Sequence, residues 1–173
     1  MNKKLRSVLF IGFVILLTFY CSQKSESASK LRWLSFNEGL LAVEKQKKPA
    51  IVDFYASWCG WCKEMDDKTF NDPDVAKQLM KDFVLIRIDT EKEDTFTYKG
   101  QKITARDLQA QLRITGLPTI AFMDKEGGFI TTLPGFIPPE QFKPILAYMS
   151  KECYTKKITY QDYMKNKEIC GKE

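Results

Sequence analysis

An almost entirely apolar segment runs directly into a pair of closely spaced cysteines, and this junction constrains the fold more than any other part of the chain. Residues 50–56 read AIVDFYA, which is typical of a central β-strand that is covered on both faces. Cys59 and Cys62 follow at the start of a run that is compatible with a helix. A C-x-x-C pair can be a reversible dithiol or half of a zinc site. The strand before it, the helix after it and the G-L-P-T turn at 116–119 favour the dithiol.

The other patterns alternate between helices and strands along most of the chain. Capping residues, proline positions and apolar periodicity predict the helices, and short β-branched or aromatic runs predict the strands. The predicted helices span 35–47, 59–68, 72–81, 104–112 and 138–150, with a short one near 161–165, and the predicted strands span 50–56, 83–89, 119–123 and 129–133. The polar residues 90–101 predict a loop or a small hairpin. This order predicts an α/β fold with a central mixed sheet flanked by helices and a short C-terminal helical extension.

Charge and composition exclude several classes of function. The 173 residues carry a net charge of +5, but Lys3, Lys4 and Arg6 lie in an apparent targeting segment, and without them the net charge is +2. That balance gives no basis for a nucleic-acid partner. The chain contains no histidine, which excludes histidine acid–base chemistry and most zinc and haem ligation schemes.

The N-terminus has the pattern of an export signal. A basic start precedes an apolar run over residues 8–20, shorter than the roughly 20 residues that a membrane-crossing helix needs, so residues 1–20 are predicted to be a signal peptide. Cys21 and the Ser-rich tether 21–30 then resemble a bacterial lipoprotein in which Cys21 carries the lipid. Ordinary cleavage after residues 25–27 and an uncleaved anchor are the alternatives. All three place the domain outside the cytoplasm, in the periplasm or cell envelope, and any contact with the membrane is expected only through an N-terminal lipid or anchor.

Setting Cys21 aside leaves two pairs of cysteines in different parts of the chain. Cys59 and Cys62 belong to the predicted domain 31–150 and form the redox pair. Cys153 and Cys170 belong to the extension 151–173 and could form a structural disulfide, which an oxidising compartment permits. Closing a loop of that size stabilises a fold by about 3 kcal/mol in the chain-entropy model. Two unpaired thiols are the alternative.

The spacing of Cys59 and Cys62 assigns them different roles. Cys59 is predicted at a helix N-terminus, where unpaired N–H groups and the helix dipole stabilise a thiolate. Cys62, one turn further in, is predicted to be less exposed. Cys59 would therefore attack a substrate disulfide, and Cys62 would attack Cys59 and release the reduced substrate. Trp58, Gly60 and Trp61 are predicted to form a contact surface for partner segments; packing of Trp58 against the core is the alternative.

Several motifs resemble the thioredoxin-fold family over roughly residues 31–165. The V-D-F-Y-A-x-W-C-x-x-C run at 52–62 and the G-x-P-T turn at 116–119 carry the resemblance. Segments 62–65, 69–75 and 133–142 are similar to two exported branches. One branch is the periplasmic thioredoxins associated with sulfur-oxidation operons, and the other is the C-terminal domain of the transmembrane thiol:disulfide interchange reductase.

The resemblance implies roles for residues outside the dithiol. Asp53 matches the family's buried carboxylate, which helps to deprotonate the resolving cysteine and whose pKa burial raises. Pro118 matches the family's cis-proline and leaves the backbone of Leu117 free to pair with a substrate strand. A solvated Asp53 and an ordinary trans proline are the alternatives. Leu85 stands where many thioredoxins have a buried lysine, which leaves Asp53 without the family's usual cation.

Together these patterns predict an exported thiol–disulfide oxidoreductase that reduces protein disulfides and needs no cofactor. The absence of a histidine before Cys62 argues against a strong oxidant. The resemblance implies two kinds of partner, disulfide-containing envelope proteins and a membrane electron donor of the transmembrane reductase type. The alternatives are a redox-inert binding or assembly module of the same fold and a carrier of a soft metal such as Cu(I).

Overall fold

The computed structural model describes residues 31–171, so the predictions for the signal peptide 1–20, the tether 21–30 and Cys21 lie outside the described residues. The strands are β1 Ala50–Tyr55, β2 Val84–Asp89, β3 Thr95–Tyr98, β4 Gln101–Thr104, β5 Thr119–Met123 and β6 Phe129–Pro134. The helices are α1 Phe36–Gln46, α2 Gly60–Glu64, α3 Pro73–Asp82, α4 Ala105–Gln111, α5 Pro139–Ser150 and α6 Tyr160–Lys165. A π-helical stretch, Met65–Phe70, continues α2, and 3₁₀ turns lie at Cys153–Lys156 and Ile169–Gly171.

Four strands form one mixed sheet in the order β2-β1-β5-β6. Strand β1 runs parallel to β2, with Asp53 opposite Arg87, and antiparallel to β5, with Asp53 opposite Ile120. Strand β6 completes the sheet antiparallel to β5, while β3 and β4 form a separate hairpin within the polar segment. The predicted α/β fold with a central mixed sheet flanked by helices is confirmed.

Side chains of β1 alternate between two apolar layers. Ala50, Val52 and Phe54 face a layer formed with α1, the β3–β4 hairpin and α4. Ile51 faces the opposite layer, formed with the π-helical stretch, α3 and α5. Asp53 is two residues beyond Ile51 and therefore projects to the same side of the sheet. The sequence thus places a carboxylate in the layer beneath the cysteine-bearing helix.

Side-chain caps explain where the helices begin. The backbone N–H and the hydroxyl of Ser35 both donate to the Glu38 carboxylate at the start of α1, at 3.1 and 2.6 Å. Thr104 and Asp107 form a capping box at the start of α4. Asp72 accepts the N–H of the third residue of α3 at 3.0 Å. These bonds satisfy backbone donors that the first helical turn leaves unpaired.

The predicted helix from Cys59 to Lys68 is present as one continuous helical stretch, but its second half is not α-helical. Regular α-helix ends at Glu64, and residues 65–70 are π-helical. Tertiary contacts accompany this wider turn, since Asp66 binds a cation on β2 and the hydroxyl of buried Thr69 donates to a backbone carbonyl at 2.6 Å. Sequence periodicity does not separate an α-helix from a π-helical stretch of six residues.

The C-terminal extension packs against α5. Cys153 and Cys170 are joined by a disulfide, so these two thiols are paired rather than free. Both cysteines form a buried cluster with Tyr163, which is 2% exposed. Tyr148 of α5 packs against two aromatic rings of the extension, with its centroid 5.5 Å from Tyr160 and 5.6 Å from Tyr163. Buried aromatic area and a covalent bond therefore hold the extension on the domain.

Candidate active site

Cys59 and Cys62 form a disulfide across the first turn of α2, with an S–S distance of 2.01 Å and Cα atoms 5.2 Å apart. Cys59 is the N-cap residue, and its Sγ accepts a hydrogen bond from the backbone N–H of Cys62 at 3.1 Å. That N–H belongs to the first helical turn and also donates to the Cys59 carbonyl at 3.2 Å. It is placed to stabilise negative charge on the Cys59 sulfur once the disulfide opens.

Both cysteines are buried, contrary to the predicted difference in exposure. Cys59 is 4% exposed and Cys62 is 6% exposed. They form a small buried cluster with Ala56, against which Leu117 packs. The prediction that Cys62 is the less exposed of the two is therefore wrong for this oxidised state, because one covalent bond holds both sulfurs in the same cluster.

The loop that leads to the dithiol is tied to the end of β2. The N–H and the hydroxyl of Ser57 donate to the Glu91 carboxylate at 2.8 and 2.6 Å. The N–H and the hydroxyl of Thr90 donate to the carbonyl of Tyr55 at 2.9 and 3.0 Å. The bonds from Ser57, the hydroxyl first, also lower the pKa of Glu91. These four bonds fix the path of the chain just before the first cysteine.

The turn before β5 lies beside the dithiol. The Leu117–Pro118 peptide bond is cis. The carbonyl of Pro118 accepts the N–H of Gly135 at 2.8 Å, and Leu117 packs against the cluster that contains both cysteines. The structure thus brings Leu117 and Pro118 to the redox pair, about 55 residues away in sequence.

Two tryptophans surround the dithiol on the surface. Trp58 is 70% exposed and Trp61 is 63% exposed, which excludes the alternative that Trp58 packs against the core. The Trp61 ring lies 5.8 Å from that of Phe136, centroid to centroid. Phe136 follows β6 and did not figure among the predicted site residues. Phe136 is half-buried, and its contact with Trp61 connects α2 to the loop after β6.

A partly buried ion-pair network, in which Asp53 is buried and the Asp66 side chain is 41% exposed, lies on the same side of the sheet as the dithiol helix. Asp53 is 2% exposed, and its Oδ2 accepts from Nε and Nη2 of Arg87 at 2.9 and 2.8 Å. The same Nη2 lies 2.5 Å from Oδ1 of Asp66, four residues after Cys62. The Arg87 Cζ is also 4.3 Å from the centroid of the Trp33 ring. One cation therefore connects the strand carboxylate to the helical run that carries the dithiol.

Burial sets the acidity of Asp53. Loss of hydration raises the pKa of its carboxyl from 3.8 to about 6; the positive charge of Arg87 opposes this rise and the negative charge of Asp66 adds to it. Within residues 31–171, Oδ1 of Asp53 has no hydrogen-bond partner. A carboxyl whose pKa lies near neutrality can both accept and return a proton at physiological pH.

Arg87 is the charged neighbour of Asp53 that sequence reasoning missed. Leu85, at the position of the family's usual lysine, pairs with Ile51, while Arg87, two residues further along β2, lies opposite Asp53 and supplies a cation from a different position. The available signal was a single cation in the otherwise apolar run 83–88. A charge in such a strand requires a counter-charge nearby.

The disulfide can open to a nucleophilic thiol and a resolving thiol, and so can exchange its bond with that of another molecule. On a mixed α/β sheet, with a cis-proline beside it, this chemistry defines the class of thiol–disulfide oxidoreductases. The family model of the thioredoxin-like domain matches residues 36–150. The chain belongs to this family, which confirms the resemblance that the motifs indicated.

Similar proteins agree with this assignment. The thiol:disulfide interchange protein DsbD of Vibrio vulnificus is 41% identical over 134 residues, which cover 75% of this chain and 21% of that protein. The DsbD of Escherichia coli is 40% identical over 85 residues, which cover 49% of this chain and 14% of that protein. The chain thus spans about a fifth, or less, of the length of these relatives.

Solved structures share the fold. A thioredoxin from Thermus thermophilus has a TM-score of 0.57 and 24% identity, and the match covers 69% of this chain and 86% of that one. A thioredoxin-fold protein from Helicobacter pylori has a TM-score of 0.61 and 18% identity, with 78% and 94% covered.

Proposed function

We propose that this protein is an exported thiol–disulfide oxidoreductase that reduces protein disulfides in the cell envelope. The observation that carries the proposal is the Cys59–Cys62 disulfide at the start of α2, with the N–H of Cys62 directed at the Cys59 sulfur. The relatives named thiol:disulfide interchange protein support the same chemistry. The lack of histidine between the cysteines supports a reductant, because no imidazolium is present there to stabilise the reduced thiolate.

In this proposal Cys59 is the nucleophile and Cys62 resolves the intermediate. The Cys59 thiolate attacks one sulfur of a substrate disulfide, so that a Cys59–substrate bond forms and the other substrate sulfur leaves as a thiolate. Cys62 then loses its proton and attacks Cys59, which forms the intramolecular disulfide and releases the second substrate sulfur. Both substrate thiolates take protons from water. Two electrons pass from the dithiol to the substrate.

Asp53 is the proposed proton acceptor for Cys62. Its side chain projects into the layer beneath the dithiol helix, and its pKa of about 6 leaves it ionised at neutral pH. Because burial has weakened its acidity, it is a better base than an exposed carboxylate.

Five residues around the sulfurs form the proposed substrate surface: Trp58, Gly60, Trp61, Leu117 and Pro118. The two exposed indoles offer rigid apolar area to an unfolded segment or to a partner protein. Apart from Gly60, its chain neighbours and the adjacent helix backbone, no heavy atom of residues 31–171 lies within 4 Å of the place where a Cβ on Gly60 would be, so a substrate backbone can approach the dithiol there. The cis-proline turn leaves the Leu117 backbone available to pair with an extended substrate segment.

Export and membrane attachment are proposed from the sequence of residues 1–30. Cys21 is the proposed lipid-bearing residue, and the reduced dithiol is proposed to be restored by a membrane electron donor of the transmembrane reductase type. Within residues 31–171, no helix has the length and apolar character needed to cross a membrane. Labelled palmitate supplied to a bacterial expression host tests the anchor. We expect incorporation that Cys21→Ser abolishes, and unlabelled protein would contradict lipidation.

Reduction of insulin by the full-length chain tests the redox assignment. With dithiothreitol as electron source, we expect the chain to accelerate the precipitation of insulin B chains and Cys59→Ser to abolish the acceleration. Cys62→Ser that has been reduced beforehand and freed of dithiothreitol should instead form a stable mixed disulfide with insulin, visible by mass spectrometry, because no thiol is present to resolve it. The double variant Cys153→Ala, Cys170→Ala is the control for loss of cysteines away from the site and should retain activity.

Two results would favour the alternatives. A wild-type chain that binds unfolded insulin but reduces it no faster than Cys59→Ser would be a binding module. Stoichiometric Cu(I) after purification without chelator would indicate a metal carrier. The potential of the Cys59–Cys62 couple then fixes the direction of electron flow, since about −270 mV characterises a reductant and about −120 mV an oxidant.

A further inference from the structure

Two carboxylates that flank the dithiol in sequence are bound to one guanidinium. Asp53 lies six residues before Cys59, and Asp66 lies four residues after Cys62. The Nη2 atom of Arg87 reaches both, at 2.8 Å from Asp53 and 2.5 Å from Asp66. Strand β2 thus contributes one side chain that fixes the strand carboxylate relative to the helical run of the dithiol.

Three aromatic rings hold that guanidinium in place. The Arg87 Cζ lies 4.3 Å from the centroid of the Trp33 ring, 5.0 Å from Tyr55 and 5.8 Å from Phe70. Stacking on rings restricts the rotation of the planar group, and the remaining in-plane donors can bind carboxylates. The Arg87 side chain is 19% exposed, so its charge is only weakly screened by solvent.

We propose that Arg87 is a positioning residue for the resolving step: it holds Asp53 in place beneath the dithiol helix and sets the pH at which this carboxylate can take the Cys62 proton. This inference rests on the proposed redox function. Asp53 must be ionised to accept a proton, and its burial favours the neutral form. Arg87 stabilises the ionised form, while Asp66 both binds Arg87 and repels the charge on Asp53.

The two neighbours of Asp53 therefore act in opposite directions. Removing the positive charge of Arg87 should raise the pKa of Asp53, and removing the negative charge of Asp66 should lower it. The aromatic side chain of Tyr55 covers Arg87 from β1. Asp89, Lys92 and Asp94 line the adjacent cavity together with Arg87 and are the other charged groups that share it.

The closing experiment measures the pH dependence of the resolving step in the full-length chain. The reduced chain is mixed with a nitrobenzoate disulfide that releases one coloured thiolate when Cys59 attacks and a second when Cys62 closes the ring. A variant lacking both cysteines gives the blank. The rate of the second release should rise with the ionisation of Asp53. We expect Arg87→Gln to move the midpoint of that rise upward by about one to three pH units.

Three further variants separate a charge effect from a structural one. Asp66→Asn should move the midpoint downward, and Arg87→Lys should restore most of the wild-type midpoint because the charge is retained. Arg106→Gln, which removes an exposed positive charge from α4, should leave the midpoint in place. If Arg87→Gln fails to fold, the pH midpoints of Asp66→Asn and Arg87→Lys still test the proposal. Wild-type midpoints in both Asp66→Asn and any folded Arg87→Gln protein would overturn the proposal.

A second readout is independent of redox activity. Carbon-13 NMR of the aspartate carboxyls in the oxidised chain, with Asp53 assigned by its absence in Asp53→Asn, reports the titration of Asp53 directly. We expect the same upward and downward shifts in Arg87→Gln and Asp66→Asn. Shifts in a protein that does not reduce insulin would leave Arg87's control of Asp53 intact and reject the proposed function. If the variants left the Asp53 titration unchanged in a protein that reduces insulin, the proposed function would stand and the role of Arg87 would be rejected.

Discussion

The buried carboxylate at Asp53 should lower the stability of the protein as the pH rises. Its pKa rises from 3.8 in the unfolded chain to about 6 in the folded one, so the folded state binds the proton more tightly than the unfolded state. The proton on Asp53 therefore stabilises the fold fully when the pH is below 3.8, the pKa in the unfolded chain. This stabilisation is lost as the pH rises through about 6, the pKa in the folded chain. The shift corresponds to about 3 kcal/mol of destabilisation at neutral pH, at about 1.4 kcal/mol per pKa unit.

Asp53→Asn should remove this penalty. Arg87 keeps a counter-ion in the variant, because Asp66 remains bound to it. Relative to the wild type, the variant should gain about 2 kcal/mol in free energy of unfolding between pH 4 and pH 7, with most of the gain developing below pH 6. Its resolving step should slow at the same time, because the proposed proton acceptor is lost.

Urea unfolding of the oxidised proteins, without reductant and at intervals of half a pH unit, measures this difference. Subtracting the two curves cancels the titration of all other carboxylates. Asp67→Asn provides the matched control, since it makes the same substitution at an exposed position near Asp66. If the difference in free energy of unfolding between Asp53→Asn and wild type did not change with pH, the argument that burial dominates the acidity of Asp53 would be refuted.

Two stability predictions follow from packing. Gly39→Ala should destabilise the fold by about 1–2 kcal/mol in urea unfolding, because the added Cβ would overlap the buried Ile86 side chain and the cost of that overlap exceeds the gain in helix propensity. Adding Ile86→Val should recover part of the lost stability. Losses from the two substitutions that simply add would contradict the overlap. Replacing both Cys153 and Cys170 by Ala should lower the stability of the C-terminal extension by about 3 kcal/mol, measured by native-state hydrogen exchange. Insulin reduction should persist, because the extension and the dithiol belong to separate buried clusters. Unchanged hydrogen exchange would show that the disulfide does not hold the extension.

Local signals in the sequence were sufficient for most of the fold. The capping pairs, Pro73 at the start of α3 and the alternation of apolar runs each depend on a few neighbouring residues, and the helices and strands appear where those signals lie. The C-x-x-C spacing likewise fixes the two sulfurs one helical turn apart, whatever the rest of the chain does. Burial of Cys59 was not predictable in this way, because it depends on contacts with the distant turn at Leu117 and on the disulfide itself.

The contact between Asp53 and Arg87 depends instead on how two strands are aligned. Leu85 and Arg87 have the same parity on β2, so alternation alone allows either one to face Asp53. The parallel register decides between them, and no local sequence signal determines that register over the 34 residues that separate Asp53 from Arg87. A weaker inference was nevertheless available from the sequence. The sequence has two charged residues of opposite sign, each within an apolar run that is read as a buried strand. Burying either charge alone costs much more free energy than burying the two as a pair. Pairing them would have predicted the cation beside the proposed proton acceptor before any coordinates were known.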